Sequence, residues 1–118
     1  MKLLEIRSLL NAKVLTGQSD VELGDIDVET GCGCDLLSDV LAFVKDQGIL
    51  LTGLVNLQVL RTAEMMDINA ICFVRGKTPG ADIIDFACQR GIPVLTTDYP
   101  LFKACGKLYQ SGLMQEKE

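Results

Sequence analysis

Ile49-Leu50-Leu51-Thr52-Gly53, Ala70-Ile71-Cys72-Phe73-Val74-Arg75-Gly76 and Pro93-Val94-Leu95-Thr96-Thr97-Asp98 share one form: an apolar run ending in small, hydroxylic or charged residues. Strands buried on both faces read as such runs, whereas strands with one wet face alternate. The runs recur at roughly twenty-residue spacing, long enough for a helical crossover between parallel strands. Helix patterns fill the gaps. Asn56 is placed to cap a helix carrying Leu57, Leu60, Ala63 and Met66. Pro79-Gly80 opens another with Ile83, Ile84, Ala87 and Cys88, which Gly91 closes. Strand, helix, strand in repetition predicts a layered α/β/α sheet, mostly parallel.

Outward from that centre the pattern continues. Leu3, Leu4, Ile6, Leu9 and Leu10 predict an amphipathic helix over 2–11, and Lys13 to Thr16 a short strand ended by Gly17. A polar loop follows, then a strand near 25–30. Leu36, Leu37, Val40, Leu41 and Val44 mark one face of a helix over about 35–46, with Asp35 at its start as a cap and Gly48 as its stop. Asp39 then falls one turn from Asp35 on the same side. Thr97 or Asp98 is expected to cap a last helix through Leu101, Phe102, Cys105, Leu108 and Tyr109. The expected organisation is one domain over 1–118: an N-terminal helix and loop over 1–24, a core over 25–112, and a frayed tail over 113–118.

The 118 residues are 48% hydrophobic and 23% charged, enough to build a core. With four Phe, two Tyr and no Trp, that core is mostly aliphatic. There is no histidine. This removes His-based triads, Cys–His pairs, His metal ligands and imidazole bases together, and no cofactor is expected. Sixteen acidic residues against 11 basic give a formal charge of −5, which disfavours binding to nucleic acid or an anionic membrane. The acid is concentrated: Asp20, Glu22, Asp25, Asp27, Glu29, Asp35 and Asp39 occur with no Lys or Arg among them. That edge reads first as a solvated surface, and second as a cation site or a docking surface for a basic partner. Neither a secretory signal nor a membrane span is read from the sequence, and five cysteines, several in apolar runs, suit a reduced cytoplasmic protein.

Chemistry in an open α/β sheet sits beyond the carboxyl ends of the strands. Gathered there are Asp35, Thr52, Gly53, Asn56, Arg75, Gly76, Lys77, Thr96, Thr97 and Asp98, the candidate ligand-binding residues. Hydroxyls and free N–H groups at helix starts suit an anion, with Arg75 and Lys77 supplying charge. The same residue types also serve turns and caps. Gly76-Lys77-Thr78 looks like the end of a phosphate-binding loop, but Ile71 stands where that motif needs its first glycine. Gly31-Cys32-Gly33-Cys34 reads as a glycine-permitted turn, with Cys32 and Cys34 as weak candidates for a soft metal or redox chemistry. No nucleophile–base pair emerges from the spacing, so no catalytic residue is assigned.

Cys34-Asp35-Leu36-Leu37-Ser38-Asp39-Val40-Leu41-Ala42, Leu50-Leu51-Thr52-Gly53 and Gly91-Ile92-Pro93-Val94-Leu95-Thr96-Thr97-Asp98 resemble, in order and spacing, strings of the DRTGG domain family. That family is related in fold to the N-terminal domain of HPr serine kinase/phosphorylase. The resemblance covers about 25–112. The family's Asp falls at Asp35 and its Thr-Gly at Thr52-Gly53, while its arginine falls at Leu36 and its second glycine at Leu54. With the arginine gone, Arg75 is the nearest substitute cation. The resemblance implies a regulatory or dimerising unit of the kind that accompanies CBS-domain pyrophosphatases, phosphotransacetylases and HPr kinases. It implies no kinase activity, because the chain carries no P-loop.

Taken together, the sequence leads to a non-catalytic regulatory domain, a homodimer, that senses a small anionic ligand such as a nucleotide or phosphorylated metabolite. The alternatives are a protein-docking module for a redox or metabolic partner enzyme, and a metal or redox site at Cys32 and Cys34. For the dimer, the N-terminal helix and the acidic 20–44 edge are the candidate faces.

Overall fold

A computed structural model describes residues 1–43 and 47–114. The elements run α1 (Leu3–Leu9), β1 (Lys13–Val14), α2 (Asp20–Gly24), β2 (Thr30–Gly33), α3 (Leu37–Phe43), β3 (Gly48–Thr52), α4 (Leu57–Met65), β4 (Ala70–Phe73), α5 (Ala81–Arg90), β5 (Val94–Thr96) and α6 (Leu101–Gln110). The five strands form one sheet in the order β1-β5-β4-β3-β2, with β2 to β5 parallel and β1 antiparallel to β5. This is the α/β layered architecture expected from the runs.

Because β2 to β5 are neighbours in sequence order, each crossover steps the same way across the sheet. Right-handed crossovers in one direction place their helices on one face. Val40 of α3, Val59, Leu60 and Ala63 of α4, and Ile83 and Ala87 of α5 accordingly share one core with Leu50, Ile71, Phe73 and Val94. The opposite face is covered by α1 and α6. Leu3, Ile6 and Leu10 of the first helix and its cap meet Ala104 and Leu108 over Ile49, Leu51, Cys72 and Leu95. Every residue of β3 and β4 is buried, which is why these two strands are continuous apolar runs.

Local signals act as expected in several places. Asn56 accepts the Val59 N–H through its side chain and caps α4, and Gly91 ends α5 in the left-handed region at φ 69°. Elsewhere the structure corrects the reading. Residues 20–24 are a helix: Ser19 and Glu22 form a reciprocal capping box, and Leu23 anchors the turn in the core. The strand expected near 25–30 lies further on, at Thr30–Gly33, so Gly31 and Gly33 are strand and not turn. Their missing side chains make room for α6: a Cβ on Gly33 would collide with Cys105 Sγ. The first strand stops at Val14, short of Thr16.

The helix after β2 starts at Leu37 and leaves Asp35 outside it, so Asp35 is not its cap and shares no helix face with Asp39. Leu36 and Leu41, expected on its buried face, are exposed, while Val40 is buried. Its expected end and Val44 lie outside the described residues. Pro100 occupies the position before the last helix and makes no side-chain capping bond, so neither Thr97 nor Asp98 is its cap. Leu113, assigned to the tail, is buried, and the Met114 carbonyl accepts the Gly31 N–H at 2.9 Å. Residues 115–118 lie outside the described part. Among the described residues no helix is long and apolar enough to cross a membrane.

Candidate functional site

Parallel strands bring their carboxyl ends to one edge of the sheet, and there β2, β3, β4 and β5 deliver four loops. The Asp35 carboxylate, two residues past β2, reaches the end of β3. Its Oδ1 accepts the Gly53 N–H at 2.7 Å and the Thr52 hydroxyl at 3.1 Å. Thr52 Oγ1 in turn accepts the Leu54 N–H at 3.1 Å. A buried N–H without water needs a protein acceptor, and Asp35 supplies it across the gap between strands.

The loop after β4 turns sharply. Arg75 and Gly76 are both left-handed, at φ 57° and 67°. Arg75 is held there by its own N–H, which donates to the Tyr99 carbonyl at 2.9 Å, while the Gly76 N–H donates to the Thr97 carbonyl at 2.8 Å. A non-glycine residue at positive φ is uncommon, and here two backbone bonds to the β5 loop hold it. The Arg75 guanidinium then lies over Gly53, where a Cβ would stand 2.6 Å from its Nη2. Lys77 Nζ donates to the Gly53 carbonyl at 2.6 Å, and the Thr96 hydroxyl donates to the Lys77 carbonyl at 2.8 Å. Asp98 Oδ1 closes the other side, 3.0 Å from where a Gly76 Cβ would be.

Asp35, Thr52, Gly53, Arg75, Gly76, Lys77, Thr96 and Asp98 therefore meet at this corner. Asn56 and Thr97 serve the fold: Asn56 caps α4, and the buried Thr97 hydroxyl donates to the Leu10 carbonyl at 2.6 Å. The three ion pairs among the described residues are Lys2–Asp27, Arg7–Asp20 and Arg90–Glu64, so neither Arg75 nor Lys77 forms one, with the Asp35 and Asp98 carboxylates nearby at the same corner. The N–H and hydroxyl donors named above are spent within the fold, so the Arg75 and Lys77 side chains are the groups at this corner with charge to offer an anion.

The thiols are arranged differently. Burial pushes Cys72 up to about 12, with Cys105 adding to the shift. Burial also raises Cys32, helped by Cys34, Cys105 and Asp39, and burial raises Cys105. Raised thiols are protonated at neutral pH and are poor nucleophiles and ligands. Among the described residues no group of three or more Cys, Asp or Glu is arranged to hold a metal. The sequence signals missed here were the Ser19–Glu22 capping box and the alternate glycines, which mark one face of a strand.

No protein-family model and no curated protein matches the sequence. The fold is similar to a solved structure of the CBS and DRTGG domains of the regulatory region of Clostridium perfringens pyrophosphatase, complexed with its activator diadenosine tetraphosphate. The TM-score is 0.70 at 18% sequence identity, over 93% of this chain and 46% of that one. The chain thus spans about half the length of this neighbour, and the likeness is one of fold.

Proposed function

We propose that the chain is a DRTGG-like regulatory domain, non-catalytic, dimeric and cytoplasmic, that binds a small anionic ligand at the carboxyl ends of β2 to β5. The ligand is a nucleotide or another phosphorylated metabolite. The observation that carries this reading is the pair Arg75 and Lys77, set by a strained turn over Gly53, with neither side chain in an ion pair among the described residues. The fold-level likeness to a pyrophosphatase regulatory region solved with a dinucleotide activator supports the same class of ligand. So does the resemblance of Asp35 and Thr52-Gly53 to the DRTGG strings, and through them to the HPr kinase N-terminal fold.

Thermal unfolding in the presence of ATP, diadenosine tetraphosphate or inorganic pyrophosphate tests it. A ligand at a hundred times its dissociation constant stabilises by about 2.7 kcal/mol, which raises the melting temperature by several degrees in a domain of this size. Arg75→Ala should lose most of that shift. No shift with any phosphorylated compound would refute the reading.

One observation favours a second reading. At the opposite, amino-terminal end of the sheet, Asp25, Asp27, Glu29 and Asp67 line an open groove. A basic surface of a partner enzyme docked there would be released steeply as salt rises, and salt-insensitive binding would exclude it.

A further inference from the structure

The apolar face of α1 is spent inside the molecule, since Leu3 and Ile6 are fully buried. The last helix is different. Phe102 is 92% exposed and Tyr109 is 63% exposed, two aromatic rings left in water by a chain that has only six Phe and Tyr in all. Between them is Gly106, where a Cβ would meet nothing within 4 Å. Residues 102, 106 and 109 follow helical spacing, so the two rings flank a bare stretch of backbone on one face. Lys103 is drawn aside onto the Tyr99 ring at 4.2 Å and leaves the stripe apolar. Beside the stripe, α6 and the edge strand β2 border a cavity of about 270 Å³ lined by Gly31, Gly33, Cys105, Leu108, Tyr109 and Leu113.

We propose that this α6–β2 face is where a second copy of the chain docks, with Phe102 of each protomer seated in the cavity of the other. A two-fold axis makes every contact reciprocal, so a self-complementary patch must carry both a projection and a matching recess. Here both occur on one helix. Antiparallel apposition of two α6 helices about Gly106 sets Phe102 of one copy over Tyr109 and the cavity of its partner, about 10 Å along the helix. Gly106 lets the backbones approach. Four aromatic rings cover about 600–1,000 Å². The cavity walls and the half-exposed Met114 at the same edge bring the total toward the roughly 1,200 Å² at which specific interfaces begin.

The proposal rests on the dimeric reading above, and sedimentation equilibrium of the full chain separates the two. Wild type, Phe102→Asp, Gly106→Gln and the control Met65→Asp on exposed α4 surface are compared, with circular dichroism to confirm that each remains folded. Neither Phe102 nor Gly106 touches the interior, so both variants keep the monomer fold. Wild type and Met65→Asp are expected as dimers, and the α6 variants should raise the dissociation constant on the order of a hundredfold or more. Dimers that persist in both α6 variants would overturn this interface and leave dimerisation standing. A monomeric wild type at micromolar concentration would overturn the dimer itself.

Discussion

Replacing Gly53 with alanine should separate ligand binding from stability. The new Cβ would stand 2.6 Å from Arg75 Nη2 and 3.6 Å from Asp35 Oδ1. The first contact is too close and the second is ordinary. The atom that must yield is the far end of a long flexible side chain on an exposed residue, so the guanidinium swings out and the backbone stays. Gly53 is not in the left-handed region, so alanine suits its conformation and gains up to about 1 kcal/mol from a less mobile unfolded chain. Urea unfolding of the free protein should therefore show a change within about 1 kcal/mol of zero. Binding loses the charge-assisted bonds of Arg75, about 1.5–3 kcal/mol, or roughly 10- to 150-fold in affinity. Calorimetric titration with the phosphorylated ligand that most stabilises wild type reads the second quantity. A variant that binds as tightly as wild type would refute the claim that Arg75 acts from its place over Gly53. Destabilisation by several kcal/mol would refute the packing argument.

Asp35→Ala removes the acceptor of the buried Gly53 N–H and should cost about 1–3 kcal/mol in urea unfolding, whereas Asp35→Asn, which keeps an oxygen there, should recover most of it. Gly33→Ala should destabilise by about 1–3 kcal/mol through the collision with Cys105 Sγ. Adding Cys105→Ala should restore much of that loss, a coupling read by a double-mutant cycle. Stability should fall as pH rises above about 9. Cys72 keeps its proton in the folded protein up to about 12, while the unfolded thiol releases it near 8.5, so within that window the unfolded state binds fewer protons. The slope approaches about 1.4 kcal/mol per pH unit for this thiol, and Cys72→Ala should flatten the profile measured by denaturant unfolding from pH 9 to 11.

The central strands are legible because burial on both faces leaves a mark that composition cannot hide: Ile49 to Leu51 and Ala70 to Phe73 hold no solvent-facing position. Asn56 and Gly91 are legible because a cap and a left-handed stop each depend on one residue's chemistry. The strand β2 is not, because Gly31 and Gly33 have low strand propensity and their value lies in what α6 needs above them. That requirement is tertiary. The same limit governs the site. Strand-end residues can be collected from sequence, but only sheet order tells which loops meet. Asp35 looked like a cap because an acidic residue before an apolar helix usually is one. Its partners, Thr52 and Gly53, come from the neighbouring strand. Thr97 has the chemistry of a ligand-binding hydroxyl and is used instead to hold Leu10.

Where a phosphorylated ligand binds decides whether the Arg75 turn is the site. Amide chemical-shift mapping of the isotope-labelled protein, titrated with diadenosine tetraphosphate and then with pyrophosphate, locates it without perturbing the chain. The predicted result is a cluster of shifted amides at Gly53, Leu54, Arg75, Gly76, Lys77 and Asp98, lost in Arg75→Ala. Shifts confined to the acidic end of the sheet or to the α6–β2 face, with the Arg75 turn unmoved, would contradict it.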